Sequence, residues 1–268
     1  PRGEENPWPQ RPVSAVVLDT DKVTGRARIT AQPDFAGRAS MRVRGNSAQD
    51  DFPKKSYKFE VWDDDDEDRD VSLLGFPAES DWILHAPYTD KTLMRNFITY
   101  SWSRKMGNYV TQTRYLEVFA NMDGDDVVSY EDYIGVYVLM EKVKRHKDRI
   151  DIARLRPTDL AEPDISGGYI LKADWGDDFQ LDRTQLFMEY VDPDLDELAV
   201  EQRAWIEGYI NDVESAVFAP DYLHPETGEH YTDLVDARSC IERQVIQELT
   251  KNMDARSTFL YKDRNQPL

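Results

Sequence analysis

The sequence predicts an α+β protein of two unequal lobes, a β-rich front part followed by a helix-rich back part. In the first third of the chain, apolar and polar residues alternate between turn signals, which is typical of half-buried strands. In the last third, apolar residues recur at helical spacing. The 268 residues allow one large domain or two lobes that share a cleft. We expect a single domain over 1–268, with the lobes meeting near residue 142 as 1–142 and 143–268.

The strand pattern of the front part falls into four segments. They cover residues 14–18, 27–30, 40–44 and 55–62. The alternation is clearest around Phe59, whose side chain shares a face with Tyr57 and Val61. The acidic run at 63–70 that follows is interpreted as a solvated loop, because the spacing and the central glycine of an EF-hand calcium loop are absent.

The middle of the chain predicts a helix and a hairpin. The helix covers residues 91–106, because Asp90 is a good N-cap and Gly107 is a typical C-terminal stop. Its expected inward face carries Leu93, Phe97, Ile98, Tyr100 and Trp102. Strands at 115–120 and 134–141 are expected to form a hairpin around the polar insert 121–131, and further strands open at 167–171 and 259–261.

Two apolar stripes predict helices in the back part, and both are interpreted as facing the core. The first comprises Leu195, Leu198, Trp205, Ile206, Tyr209, Ile210 and Val213, and the second comprises Leu234, Ala237, Ile241, Val245 and Leu249. Cys240 is the only cysteine, so an internal disulfide and a thiolate metal cluster are excluded. Because Cys240 lies on the second helical segment, we expect a buried, inert thiol.

Charge and hydrophobicity limit the partners of the chain. Acidic residues outnumber basic residues by 52 to 33, which gives a net charge of -19 that repels polyanions, so nucleic acid is not an expected partner. No run approaches the roughly 20 apolar residues of a membrane-spanning helix. The acidic surplus favours an extracellular or cell-envelope location, with the cytoplasm as an alternative.

Against this acidic background, one region of the sequence concentrates cations. It contains Arg44, Lys54, Lys55 and Arg95, close to a glycine turn and to the predicted ends of strands and of a helix. Such a group favours a small phosphate-bearing ligand. The alternative is that each cation neutralises a neighbouring carboxylate. Neither a Walker loop nor a Gly-x-Gly-x-x-Gly motif is present, so side chains would have to hold a nucleotide.

Two carboxylates are candidates for chemistry. Asp254 lies in the short link between the last predicted helix and strand, where a side chain is exposed at the edge of a rigid scaffold. A capping or turn-forming aspartate is the alternative. Glu141 ends an apolar strand and is either an ion-pair partner or a site residue. The four histidines lack the spacing of metal ligands.

Several sequence blocks, in this order, resemble the CotH kinase family, which is named for the spore coat protein H of spore-forming bacteria. The blocks are Arg44-Gly45-Asn46, Lys54-Lys55-Ser56-Tyr57-Lys58-Phe59, Leu73-Leu74-Gly75-Phe76-Pro77, Asp81-Trp82-Ile83-Leu84, Asp90-Lys91-Thr92-Leu93-Met94-Arg95-Asn96, Gly135-Val136-Tyr137-Val138-Leu139-Met140-Glu141-Lys142, Gly167-Gly168-Tyr169-Ile170 and Asn252-Met253-Asp254. They span nearly the whole chain, from Arg42 to about Asp263.

The resemblance implies an atypical protein-kinase-like fold that binds ATP with Mg²⁺ or Mn²⁺ and phosphorylates Ser or Thr of a partner protein. It implies that Asp254 is the catalytic aspartate and that a neighbouring polar side chain, here Ser257, ligates the metal together with Asp254. The residues expected to contact the nucleotide are Arg44, Lys54, Lys55, Arg95, Glu141 and, by stacking on adenine, Tyr169. The family also makes a spore-coat location a further alternative.

The sequence departs from the family pattern in two places. Ser257 stands where many members carry Asn, and the second acidic motif of the family, Trp-Asp-Phe-Asp or close to it, would fall after Leu268. We therefore expect the natural protein to continue beyond Leu268. If it does not, a non-catalytic structural or adhesion module is the alternative function, and AMP transfer or nucleotide hydrolysis is a third.

Overall fold

The computed structural model describes residues 9–45, 48–174, 176, 178–252 and 257–268. It has a mixed α/β fold in which strands predominate, so the α+β prediction is confirmed at this level. The chain divides into two compact units. The first unit runs to Tyr100 and includes Thr111–Lys142, and the second contains Ser101–Val110 and Val143–Leu268. Within the described part of the chain, no helix is long and apolar enough to cross a membrane.

The first unit is built on a six-stranded antiparallel sheet with the order β1-β2-β3-β4-β6-β5. Its strands are β1 (Arg11–Val17), β2 (Phe35–Arg44), β3 (Ser56–Val61), β4 (Asp81–His85), β5 (Thr113–Phe119) and β6 (Tyr133–Glu141). The short helix α1 (Ala48–Asp51) follows β2, and α2 (Arg95–Lys105) begins after β4.

The sheet of the first unit curls around one apolar core. Val13 of β1 and Leu116 of β5, which belong to opposite edge strands, pack against the same buried cluster. Trp82 is fully buried in it and stacks on Phe76 with ring centroids 5.7 Å apart. The predicted inward face of β3 is confirmed, because Phe59 and Val61 are buried in this core and Tyr57 packs against it.

The second unit contains a four-stranded antiparallel sheet with the order β10-β7-β9-β8. Its elements are β7 (Tyr169–Ala173), β8 (Phe179–Gln180), β9 (Phe187–Asp192), α3 (Val200–Val217), α4 (Tyr231–Leu234), α5 (Ala237–Thr250) and β10 (Thr258–Lys262). Ile206 and Ile210 of α3 pack against Leu171 of β7, so the first apolar stripe faces the core as predicted.

Two predicted elements of the first unit are corrected. Residues 27–30 are exposed and form no strand; this segment instead enters a turn in which the backbone N–H of Ala31 donates to the carbonyl oxygen of Arg28 at 2.9 Å. Helix α2 begins at Arg95 rather than at residue 91, because Leu93 has a left-handed backbone conformation with φ of 61°.

The predicted inward faces of α2 and α5 are wrong. None of the residues of α2 is buried, and Phe97 is exposed, with its ring against Tyr115. In α5 only Ile246 is buried, and the predicted stripe residues Ile241, Val245 and Leu249 are exposed. Cys240 is also exposed, because α5 turns the opposite face toward the protein.

The acidic loop at 63–70 folds back on the sheet. Asp68 forms an isolated bridge with Trp62, and its carboxyl group hydrogen-bonds to Glu60. Glu60 is buried and forms an ion pair with Lys58 at 2.7 Å. The hydrogen bond to Glu60, together with burial and the charges of Glu60 and Asp81, raises the pKa of Asp68 to about 6.

We expect Asp68→Asn to remove a pH-dependent part of the stability. A raised pKa in the folded state means that the contribution of Asp68 is present below its ordinary pKa of 3.8 and is lost as pH rises through about 6. Above pH 6 the variant should therefore melt at a higher temperature than the wild type, and below pH 6 this difference in melting temperature should be smaller. Calorimetry on both sides of pH 6 measures this, with the exposed Asp64→Asn as the matched control. Equal pH profiles for the two variants would contradict it.

Candidate functional site

A cavity of about 250 Å³ opens in the first unit beside the ends of three strands. It is lined by residues from β2, α1, β3, β4, the loop after β4, α2 and β6, namely Arg44, Gly45, Ala48, Phe52, Ser56, His85, Ala86, Pro87, Tyr88, Thr89, Asp90, Leu93, Asn96 and Val138. We call this cavity the anion pocket. Ligand sites for whole drug-sized molecules measure about 300–1,000 Å³, so the anion pocket matches one part of a nucleotide rather than all of it.

Arg44 supplies the positive charge of the anion pocket. It ends β2, where it pairs with Ser56 of β3, and Gly45 follows with φ of +124°, a conformation that favours glycine and turns the chain toward α1. The side chain of Arg44 is accessible, yet burial by the surrounding protein lowers its pKa. A guanidinium stays charged at neutral pH even so. Arg44 thus offers a partly desolvated cation to a ligand.

His85 also lines the pocket, at the end of β4. Burial lowers its pKa, and the positive charges of Arg44 and Lys54 lower it further. The imidazole is therefore neutral at pH 7. Its Nε2 lies 3.3 Å from Nδ2 of Asn96, a geometry in which a neutral Nε2 accepts the amide hydrogen.

We expect anion binding in the pocket to raise the pKa of His85, because a phosphate would offset the cations that now lower it. Proton uptake and anion binding are then linked, so affinity for inorganic phosphate should increase as pH falls. Titrating the imidazole resonances by NMR with and without phosphate measures this. His146 and His230 do not line the pocket and are the controls. An unchanged His85 titration would rule out phosphate binding beside this ring.

Asp90 also lines the pocket, but its carboxylate is directed into the start of α2. It accepts hydrogen bonds from the backbone N–H of Thr92 at 3.0 Å and of Arg95 at 2.8 Å. Burial alone would raise the pKa of Asp90, but these bonds and the Thr92 hydroxyl outweigh it and lower the pKa. Asp90 is therefore not, as predicted, the N-cap of a helix that starts at residue 91. It instead accepts the first backbone N–H of α2 from five residues upstream, so this N-terminus is already paired with a carboxylate.

Neither of the two candidate lysines lines the anion pocket, but the charge of Lys54 contributes to the lowered pKa of the pocket residue His85. The Nζ of Lys54 donates to the carbonyl oxygen of Val136 and lies 4.4 Å from the centre of the Tyr137 ring. A Cβ at Gly135 would lie 3.1 Å from that Nζ, so a larger residue at this position would crowd the ammonium group of Lys54. Lys55 instead donates to the carbonyl oxygen of Gln49 at 2.6 Å. The structure thus distinguishes two residues that the sequence could not.

The other predicted nucleotide contacts in this unit do not line the pocket. The side chain of Arg95 is 79% exposed, and its Nε lies 3.7 Å from Oδ1 of Asp90. Glu141 is buried at the end of β6, where its Oε2 accepts the backbone N–H of Gln112 at 3.0 Å. Nucleotide contacts by Arg95 and Glu141 therefore remain predictions, and the geometry of the pocket does not support them.

Tyr169, the predicted adenine-stacking residue, lies in the core of the second unit. Its ring is fully buried and stacks on Trp205 with centroids 6.0 Å apart, and its hydroxyl donates to the carbonyl oxygen of Ile165 at 2.9 Å. Because the ring is already packed and closed to solvent, the predicted stacking role of Tyr169 is left without support as well.

The predicted catalytic residue Asp254 lies outside the described residues. The predicted metal ligand Ser257 is described, and its Oγ donates to Oδ2 of Asp174 at 3.0 Å. Asp174 also forms an ion pair with Lys172. Among the described residues, no group of three or more His, Cys, Asp or Glu side chains is placed to hold a metal ion. The oxygen atoms of Ser257 and Asp174 are nevertheless of the type that Mg²⁺ prefers.

Sequence reasoning missed His85 and Asn96, which line the anion pocket, and Asp174, which is hydrogen-bonded to the predicted metal ligand Ser257. The block Asp81–Leu84 ends one residue before His85, the last residue of β4, and the block Asp90–Asn96 ends in the first turn of α2. The signal in the sequence was that both blocks end near a strand or helix boundary. Asp174 follows β7 directly, as polar site residues often follow strands.

Taken together, the first unit is a curled antiparallel sheet with an arginine-bearing anion pocket at the ends of its strands. A family model described as CotH kinase protein matches residues 41–268, and the chain belongs to this family. Family membership indicates a kinase-like enzyme and confirms the resemblance found in the sequence. Comparisons with curated proteins and with solved structures gave no significant match.

Proposed function

We propose that this protein transfers the γ-phosphoryl group of ATP to Ser or Thr of a partner protein, with Mg²⁺ or Mn²⁺ as the metal. Kinase-like activity follows from family membership. The observation that carries the finer proposal is Arg44 at the wall of the 250 Å³ anion pocket. We further propose an extracellular or cell-envelope location, in agreement with the net charge of -19.

The pocket chemistry supports a phosphate end rather than a base. Its described polar groups include the guanidinium of Arg44, the imidazole of His85, the amide of Asn96 and the hydroxyl of Ser56. Arg44 is the strong partner, because a guanidinium pairs with phosphate oxygens through two parallel hydrogen bonds. Ser56 holds the pocket wall in place, since its Oγ accepts the backbone N–H of Ala86 at 2.9 Å. Lys54 adds a second cation near His85.

In this proposal Asp254 orients the acceptor hydroxyl and accepts its proton as the bond to phosphorus forms. Ser257, three residues later in the chain, and Asp174, to which Ser257 is hydrogen-bonded, supply oxygen ligands. A bound Mg²⁺ would neutralise developing charge on the phosphate oxygens. Phosphoryl transfer depends mainly on positioning and charge stabilisation, which these side chains can provide.

Two other functions remain as alternatives to test. A structural or adhesion module of a spore coat or cell surface would bind partners without transferring phosphate. AMP transfer would use a similar pocket but add a nucleotide. Incubation with ATP labelled in the α or the γ position, followed by mass analysis of the protein product, separates the three. Label from the γ position alone supports the kinase, label from the α position supports AMP transfer, and the absence of both supports the module.

We expect Arg44→Met to weaken ATP binding about 10- to 150-fold, the equivalent of losing a charged hydrogen bond of about 1.5–3 kcal/mol. Methionine keeps most of the apolar stem but cannot donate to a phosphate. Isothermal calorimetry with ATP and Mg²⁺ measures the affinity.

The matched control for this prediction is Arg42→Met. Arg42 lies two residues earlier on β2, opposite Lys58, and does not line the pocket. It carries the same charge change, so it corrects for the loss of one cation from an acidic protein. Equal affinities for the two variants would show that Arg44 does not contact the nucleotide.

A further inference from the structure

The first unit exposes two loops of opposite charge. The basic loop, residues 20–32, connects β1 to β2 and contains three cations, Lys22, Arg26 and Arg28. The acidic tip, residues 117–132, closes the hairpin of β5 and β6 and contains six carboxylates and no Lys, Arg or His. In a chain of net charge -19, a loop with a cationic surface is an exception.

The basic loop also exposes apolar side chains. Val23 is 94% exposed and Ile29 is 92% exposed. Asp21, its one acidic member, is exposed, so the three cations leave the loop a net charge of +2. The carboxylate of Asp21 accepts the N–H groups of Val23 and Thr24, and its pKa is lowered chiefly by the backbone N–H of Thr24. The outer surface of the loop is therefore cationic and apolar.

The base of the basic loop is fixed to the sheet. Asp19 at its start forms an ion pair with Arg114 of β5, and Arg114 donates to the carbonyl oxygen of Leu74 at 2.6 Å. At its end, Asp34 accepts the backbone N–H of Leu74 at 2.6 Å. A loop held at both ends loses less conformational entropy when a partner binds it.

The acidic tip combines carboxylates with an exposed apolar surface. Tyr130 is 92% exposed, and Met122, Val127 and Val128 are each more than 60% exposed. The sixth carboxylate, Asp132, is buried at the base of the tip. The other five belong to exposed residues, namely Glu117, Asp123, Asp125, Asp126 and Glu131. Isolated exposed apolar residues are ordinary, but a contiguous group beside one sign of charge is typical of an interaction surface.

The acidic tip is also preorganised. Ala120 donates its N–H to the carbonyl oxygen of Asp132 at 2.8 Å, and the side chain of Asp132 accepts the N–H of Ser129 at 2.6 Å. The ring of Phe119 packs 5.0 Å from that of Tyr133 and 6.4 Å from that of Tyr130. The aromatic side chains are thus presented on a fixed turn.

The two surfaces lie at opposite ends of β5. Arg114, which holds the basic loop, is the second residue of the strand, and Phe119 at the acidic tip is its last. The strand between them separates the two surfaces by about 17 Å. Each surface therefore remains open to the complementary surface of another molecule.

We propose that a second copy of this chain is the partner of both surfaces, with the basic loop of one molecule bound to the acidic tip of the other. Lys22, Arg26 and Arg28 face carboxylates across this contact, and Val23 and Ile29 pack on the aromatic and aliphatic side chains of the tip. Because the two surfaces differ, the contact is heterologous and extends from two molecules to longer assemblies or closed rings.

The ionic strength decides whether this contact forms. Two molecules of net charge -19 repel each other over long distances, which opposes association at low salt. At about 0.15 M salt the Debye length falls to roughly 8 Å, so distant charges are screened while ion pairs in contact persist. Association should therefore be strongest at intermediate salt and weaker at both extremes.

Charge reversal tests the proposal without reference to kinase activity. The basic-loop variant carries Arg26→Glu and Arg28→Glu, and the acidic-tip variant carries Asp126→Lys and Glu131→Lys. These side chains are chosen because Asp21 and Asp125 hold the turns themselves. Sedimentation of the full chain at up to about 100 µM, a concentration that populates micromolar contacts, measures the average mass.

We expect the mass of the wild type to rise with concentration and each variant to remain monomeric. A one-to-one mixture of the two variants should associate and grow with concentration, because each loop of one variant then faces a tip of opposite charge on the other. A chain with all four substitutions should associate again. Asp196→Lys with Glu197→Lys, a reversal on the second unit, should leave the wild-type behaviour unchanged.

Three results would overturn the proposal. The first is a wild type that stays monomeric at every salt and protein concentration. If this monomer bound oligolysine, the acidic tip would be assigned to another, cationic partner. The second is association that neither variant reduces, which would place the contact elsewhere. The third is a mixture of folded variants that stays monomeric. Circular dichroism of each variant establishes that it is folded.

Discussion

Asp254→Asn is expected to reduce phosphoryl transfer about 10²- to 10⁴-fold, the usual contribution of a general base. The amide keeps the size of the carboxylate but cannot accept the proton of the acceptor hydroxyl. ATP binding should persist in the variant, because Arg44 and the other residues that line the anion pocket are unchanged. Transfer of γ-labelled phosphate measures the rate, and calorimetry measures the affinity.

The control for this prediction is Asp196→Asn, an exposed aspartate with the same change of charge. Both variants should unfold at the wild-type midpoint, so that any difference in rate is not a loss of folded protein. The expected result separates two roles of the site. A lost rate with retained binding supports Asp254 as the catalytic residue. Equal rates for Asp254→Asn and Asp196→Asn would exclude Asp254 as the catalytic residue, whereas no transfer by the wild type itself would favour the non-catalytic module.

The sequence predicted most strands of the first unit because apolar and polar residues alternate with a period of two along a half-buried strand. Phe59 in β3 illustrates the success. The same rule failed at residues 27–30, where Ile29 alternates with polar neighbours but has no partner strand and is 92% exposed. It also missed β4, whose five residues include buried Asp81 beside Trp82. Periodicity reports a local pattern, and pairing is decided by distant segments.

The helices show a related limit. Spacing alone predicted a helix along the stripe from Leu234 to Leu249, and α5 confirms a helix over Ala237–Thr250. Which face is buried depends on the position of the helix in the fold. The predicted stripe of Ile241 and its neighbours is exposed, while Ile246 is buried. The start of α2 shifted for a local reason, since Leu93 leaves the helical conformation before Arg95.

The sequence predicted that the candidate site is cationic, but it did not predict most of the residues that line it. Arg44 was identified from a cluster of cations in an acidic chain. His85 and Asn96 are distant from it in sequence, and they reach Arg44 because β3 pairs with both β2 and β4. Lys54 and Lys55 could not be separated, because their neighbours Val136 and Gln49 come from different elements. Tertiary pairing therefore selects the site from the candidates.

Trp82→Ala is expected to cost about 3–5 kcal/mol of unfolding free energy, the range for removing a buried aromatic side chain. Trp82 is fully buried, stacks on Phe76, and donates its Nε1–H to the carbonyl oxygen of Glu79 at 3.1 Å. Its strand pairs on one side with Phe59 and on the other with Glu141, so the cavity would open at the centre of the sheet. Urea denaturation followed by circular dichroism measures the change.

Two variants make the Trp82 result interpretable. Trp82→Phe keeps an aromatic ring but loses the hydrogen bond, and should cost less than the alanine variant. Trp102→Ala removes the same side chain from an exposed position on α2 and should cost about 1 kcal/mol or less. Because β4 runs from Asp81 to His85, the cavity also loosens one wall of the anion pocket. Trp82→Ala should therefore weaken ATP binding even where it remains folded, whereas Trp102→Ala should leave affinity unchanged. An alanine variant at Trp82 with full affinity would show that the pocket holds its geometry independently of the core beneath it.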